Sequence, residues 1–176
     1  NNIQNTISNL QKSNNKKAKK TSQEALNNLY NLQNELSMIQ QQFQNETVSK
    51  MAAKLEKIMR DFLFLSKKQE NLKEKTSLLS RNSSRLKNMA YNQQLIQDQL
   101  RQTTEQMAEL SKETFSITPE IGKAVGLVNN SIEKIKSDLT NRNIRDAMKN
   151  QDISVEGMNE TALYLFQSIK QMQSSG

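Results

Sequence analysis

Along most of this chain apolar residues recur three and four positions apart, a periodicity that predicts helices with one narrow face to bury. Residues 21–44 show it first, through Ala25, Leu29, Leu32, Leu36, Ile39 and Phe43. Alternating steps of four and three make this a coiled-coil seam. Upstream, Ile3, Ile7 and Leu10 begin a similar stripe that thins out among Asn, Lys, Gln and Ser, so residues 1–20 read as a weak or frayed helix. Asn45, Glu46 and Thr47 interrupt the seam. Either the helix continues there with a shift of register, or Asn45 or Thr47 caps a new one.

The next segment is the most apolar, with Leu55, Ile58, Met59, Phe62, Leu65 and Leu72, and with Leu78 and Leu79 near its end. Arg81, Asn82, Ser83 and Ser84 then give a turn signal in which Ser83 or Ser84 suits an N-cap. Residues 85–115 place Leu86, Met89, Gln93, Ile96, Leu100, Thr103, Met107 and Leu110 on one seam. Polar Gln93 and Thr103 on that seam reduce stability and can fix register.

Residues 116–120 carry the strongest local signal. Thr118 is the expected N-cap, Pro119 suits the first helical position, and Glu120 complements the helix dipole. The helix that follows runs through Ile121, Val125, Val128, Ile132, Ile135 and Leu139. Gly122 and Gly126, four apart on it, are expected to form a tight crossing point, at a cost in helix propensity. Asn141, Arg142 and Asn143 break the pattern, with Asn143 a candidate cap. The last stripe holds Met148, Gln151, Val155, Met158, Ala162, Leu165, Ile169 and Met172, with Gly157 as a local weakness and residues 174–176 as a tail.

These elements define an all-α protein. Helices of about 30 residues are roughly 45 Å long. Short connections fold each helix back beside the last. The expectation is an elongated antiparallel bundle of about four long helices over residues 48–176. Residues 1–47 form a polar, basic, coiled-coil-like helical extension that either projects or docks along one side.

Composition sharpens this picture. Of 176 residues, 34% are hydrophobic, and Gly (4) and Pro (1) are scarce. With a mean hydropathy of −0.82, this points to a thin core and leaves little turn chemistry for a sheet. Cys, His and Trp are absent. Thiolate and imidazole nucleophiles, bases and zinc ligands are therefore excluded. The net charge of +7 is uneven, because residues 1–80 hold 13 Lys/Arg against 7 Asp/Glu while residues 81–176 hold 12 against 11. Lys16, Lys17, Lys19 and Lys20 form the densest basic run. They read as a solvated helix face, or as a candidate site for an anionic membrane surface or other polyanion.

Glu105, Glu109 and Glu113 share a helix face at spacings of four. Built from these alone, a metal site would take only a Mg- or Ca-like ion, and without His the helical di-metal pattern is missing. Solvated i,i+4 neighbours are the simpler reading, and no metal or cofactor is expected. The methionines, among them Met51, Met59, Met89, Met107, Met148, Met158 and Met172, read as core filling, with a groove that accepts a partner helix as the alternative. Tyr30, Tyr91 and Tyr164 do not interleave with basic residues as a nucleic-acid platform requires, so no nucleic acid is expected. No apolar run reaches the roughly 20 residues of a membrane span. The chain starts within a helical pattern and without Met, so it reads as an excised fragment.

Residues 110–124 (LSKETFSITPEIGKA), 64–70 (FLSKKQE) and 157–162 (GMNETA) resemble stretches of a family of large bacterial envelope proteins of unknown function. These occur mostly in Bacteroidetes and related phyla. The resemblance spans roughly residues 50–172. It implies membrane-spanning helices in the parent protein, a long Gln-rich helical region beyond them, and a place on the periplasmic side. No activity or catalytic residue comes with it. The sequence thus leads to a non-enzymatic helical interaction or scaffold domain with a protein partner, and with the N-terminal stripe available for homo-oligomer formation.

Overall fold

The computed structural model describes residues 4, 5, 7, 15–114 and 116–174. Ile3, Leu10 and residues 175–176 lie outside these, and Asn15, Lys16 and Ala18 are described in backbone only. Four long helices follow one another: α1 (Asn15–Ser77), α2 (Leu86–Ser111), α3 (Pro119–Thr140) and α4 (Ile144–Ser174). Among the described residues there is no strand. The chain divides into two compact units, Asn1–Thr47 and Val48–Gly176.

The second unit is a four-helix bundle. Side chains tie α1 to α2 in antiparallel order: Lys54 to Glu113 at 2.6 Å, Lys57 to Gln106 at 2.8 Å, and Lys68 to Gln99 at 2.9 Å. Lys73 donates to Asp152, joining α1 to α4. Helix α3 packs on both α2 and α4.

One core runs through all four helices, from Ala52 to Ile169. The stripes explain it. In α3 every expected position is buried, from Ile121 through Val125, Val128, Ile132 and Ile135 to Leu139. In α2 the same holds for Leu86, Gln93, Ile96, Leu100, Thr103, Met107 and Leu110, and Met89 packs partly buried against the core. Large apolar side chains fully removed from water contribute about 1.5–3 kcal/mol each. Phe62, Leu55, Leu65 and Leu165 are all 2% exposed or less. Met107 and Met158 are buried, and Met51, Met59, Met89 and Met172 pack on the core's edge. Leu78 departs from the expectation: it is 84% exposed, because α1 ends at Ser77 and the chain turns away before the stripe is complete.

The core is wider than the apolar stripes. Small and polar residues fill the inner flank of each, including Ser66, Gln69 and Thr76 of α1 and Ser154, Thr161 and Ser168 of α4. Gln69 and Gln93 exchange two amide hydrogen bonds at 2.9 and 2.8 Å across the α1–α2 contact. Buried polar groups demand such partners. Gln151 is equally buried, and neither of its amide atoms is hydrogen-bonded.

The glycines reverse the expected close approach. Nothing lies within 4 Å of a Cβ added at Gly122 or Gly126, and both are exposed. They lie outside the α3 face that meets other helices, so they are no crossing point. The close approach is at Gly157 of α4, where an added Cβ would sit 2.8 Å from Val128 Cγ2 and 3.5 Å from the Ala124 carbonyl oxygen.

The helix ends are set by local chemistry. Thr118 is the N-cap residue of α3, with extended backbone (φ −82°, ψ 162°) and Pro119 behind it. Its side chain makes no bond to the helix N–H groups. Instead the Thr118 hydroxyl beside Glu120, helped by the Glu120 backbone N–H and by Lys123, holds the Glu120 carboxyl below its ordinary 4.5. The residue preceding α2 is Arg85 rather than Ser83 or Ser84, and the Ser83 hydroxyl accepts from the Arg85 N–H at 3.2 Å, capping the turn that leads into the helix. Asn143 precedes α4, but its amide donates to the Asp146 carboxylate instead of accepting from the backbone. Helix α3 closes with Arg142 at φ 60°. The Asn143 N–H donates to the Asp138 carbonyl and the Arg142 N–H to that of Leu139, the pair of bonds that defines a Schellman end.

Candidate interaction surface

The first unit carries a second stripe that has no core around it. No Gly or Pro falls anywhere in α1, so nothing in its backbone chemistry ends the helix between residues 15 and 77. At the expected interruption the helix continues. The Thr47 hydroxyl turns inward and donates to the Phe43 carbonyl at 2.9 Å. Ser37 does the same to Gln33 at 3.0 Å. Such local bonds let polar side chains sit within a helix.

With Leu29, Leu36 and Phe43 taken as heptad position a, Ala25, Leu32 and Ile39 occupy d. Leu32 and Phe43 are 56% and 71% exposed, and Leu29, Leu36 and Ile39 fall between these values. Leu26, beside the seam, is 45% exposed. A contiguous exposed apolar band of this kind marks an interaction surface. Its flanks are nearly neutral: Asn28, Gln33, Gln40 and Gln42 lie at the e and g positions with Glu35 as the single charge.

The lysine run lies on the same helix. Lys17, Lys19 and Lys20 are exposed, Lys17 and Lys20 on the side of α1 away from the seam and Lys19 at an e position beside it. The side chain of Lys16 is outside the described residues. Thr21 donates to the Lys17 carbonyl at 3.1 Å, which continues the helix into the seam.

The Glu105, Glu109 and Glu113 face is resolved into separate ion pairs. Glu105 meets Arg101 at 3.7 Å, Glu109 meets Lys112 at 2.7 Å, and Glu113 meets Lys54 at 2.6 Å. These carboxylates and Lys54 and Lys57 form the walls of an open surface groove of about 670 Å³ whose floor is Ile58 and Leu110. Each of the three carboxylates is neutralised by its own cation, so they do not converge on a common point. Among the described residues no group of three or more Asp or Glu could hold a metal ion. Tyr30 and Tyr91 are exposed and Tyr164 packs against the core.

Thr118, Pro119, Glu120 and Gly122 remain a helix start. They shape the entry to α3 and bring no further group to one point. The heptad reading of residues 25–43 found the stripe, whereas the Gln69–Gln93 pair was only half visible, since Gln69 continues the spacing between Leu65 and Leu72 but is polar and interrupts the apolar run. Among the described residues no helix is long and apolar enough to cross a membrane.

The fold defines a class, an all-α four-helix bundle whose first helix carries an additional coiled-coil stripe. No family model matches the chain, and no curated protein or solved structure shows significant similarity to it.

Proposed function

We propose that this chain is a non-enzymatic helical interaction or scaffold domain whose contact element is the stripe on residues 25–43. One contrast carries the reading. The four stripes of the second unit supply a common core, apart from exposed Leu78 and half-buried Met148 and Val155, while Leu29, Leu32, Leu36, Ile39 and Phe43 are each more than half exposed. Exposed apolar surface of that extent is unfavourable unless a partner covers it. A scaffold fits the remainder: a bundle held by its own core, with a separate face that binds a protein partner.

The resemblance of residues 64–70, 110–124 and 157–162 to large bacterial envelope proteins supports a place within such a membrane-anchored parent protein, on the periplasmic side. Light scattering on the purified chain, together with pull-down from envelope extracts, tests the proposal. A complex should form and should be lost in a variant carrying Leu32→Glu and Ile39→Glu. A strictly monomeric chain that retains no partner overturns it.

A second reading has its own observation. Lys17, Lys19 and Lys20 are exposed within one turn of helix, with no acidic residue before Glu24. That turn can dock on an anionic lipid surface. Vesicle association that is salt-sensitive and abolished when Lys16, Lys17, Lys19 and Lys20 are replaced by Gln supports it. Association that the quadruple variant leaves unchanged removes it.

A further inference from the structure

We infer that the stripe on residues 22–43 pairs with the same stripe of a second copy of this chain, and that the two helices run antiparallel. This rests on the interaction reading above and adds the partner and its direction.

Size complementarity is the first ground. The seam is graded along its length, with Ser22 and Ala25 at one end, Leu29 and Leu32 in the middle, and Leu36, Ile39 and Phe43 at the other. A parallel pair in register stacks small on small at one end and large on large at the other. The first leaves voids and the second crowds, and both are costly. An antiparallel pair centred between Tyr30 and Asn31 sets Ser22 opposite Ile39, Ala25 opposite Leu36, and Leu29 opposite Leu32. Each of these layers then holds at least one large apolar side chain, and no layer stacks small on small.

Charge is the second ground. Residues 16–20 contain four lysines, and the only charges from there to residue 49 are Glu24, Glu35 and Glu46. A parallel pair lays lysine run against lysine run, and places Glu46, a d position, against Glu46. The antiparallel pair instead sets Glu46 opposite Asn15, one residue from the start of the other copy's lysine run, at both ends. Opposite potentials facing each other fix direction more strongly than they add affinity.

Area is the third. The helix offers six side chains for burial: Leu26, Leu29, Leu32, Leu36, Ile39 and Phe43, exposed by 45% to 71%. At roughly 100 Å² apiece they offer about 600 Å², the lower end of what each partner buries in a stable specific interface. The e and g positions set no like charges against each other in that register.

The absence of Cys makes crosslinking a clean test on the full chain. Light scattering should give twice the 20.2 kDa chain mass. Mixed Ser22→Cys and Ile39→Cys chains should form the mixed disulfide under mild oxidation. Neither variant should crosslink to itself, because the antiparallel register holds like positions far beyond disulfide reach. Self-crosslinking of Ile39→Cys in preference to the mixed product overturns the antiparallel assignment. A monomer at the chain mass overturns self-pairing altogether. If that monomer still binds a different protein through the stripe, the interaction reading stands without this inference; if it binds nothing, both fall. A Leu32→Glu chain should be monomeric with an unchanged unfolding transition of the bundle. Loss of that transition would mean that the stripe belongs to the fold instead, and would also overturn self-pairing.

Discussion

At the residue scale, shape decides which glycine matters. Gly157 is buried against Val128, and a methyl group there collides with a branched side chain that has no long flexible end to move. Gly157→Ala should destabilise the bundle by about 1–3 kcal/mol despite its better helix propensity. Gly126→Ala meets open space on an exposed helix face and should stabilise by about 0.5–1 kcal/mol. Urea unfolding of the two variants checks the opposite signs. From sequence, the spacing of Gly122 and Gly126 points to Gly126 as the crossing point and to Gly157 as a mere weakness, the reverse of what the contacts show. Only the neighbour across the contact separates them. The amide pair argues the same way. Gln69→Leu alone strands the Gln93 amide and should cost about 1–3 kcal/mol. Adding Gln93→Leu should restore most of that loss, and a double-mutant cycle reads the coupling directly. A cycle that shows no coupling would mean the two bonds contribute nothing to the α1–α2 contact.

At the element scale, stripes and ends behave differently. The stripes of α2 and α3 were legible nearly position by position, because a seam buried between helices repeats at the helical period. The ends were legible in place and not in bonding. Thr118 sits at the start of α3 as expected, yet its hydroxyl serves Glu120 and not a backbone N–H. The folded Glu120 carboxyl lies below its ordinary 4.5. Its contribution to α3 is therefore present above that value and is lost as pH falls through the lower, folded one. Carbon-detected NMR titration should find the Glu120 midpoint below 4.5 and moved upward in Thr118→Ala. An unchanged midpoint would detach the shift from the Thr118 hydroxyl. At the other end of α3, Arg142 holds the left-handed conformation that Gly adopts without strain. Arg142→Gly should raise stability by about 1 kcal/mol, less what its bond to the Arg81 carbonyl contributes. Thermal unfolding checks the sign.

At the scale of the whole molecule, every member of the buried core among the described residues lies between Ala52 and Ile169. A chain lacking residues 1–47 should therefore keep the cooperative unfolding transition of the full chain, with its midpoint within a few degrees as judged by circular dichroism. Loss of the transition would show that the first unit supports the bundle. The sequence by itself determined that this protein is helical, where its helices turn, and which stripe each must hide, because helix formation and amphipathic spacing are local and repeat every few residues. It could not say which stripes would find cover within the chain. The stripe of residues 25–43 and that of residues 121–139 obey the same rule of spacing, yet one is exposed and the other enclosed. Burial depends on what arrives from elsewhere in the chain. The tertiary structure decided that, just as it decided which glycine meets a neighbour and which buried glutamines find each other.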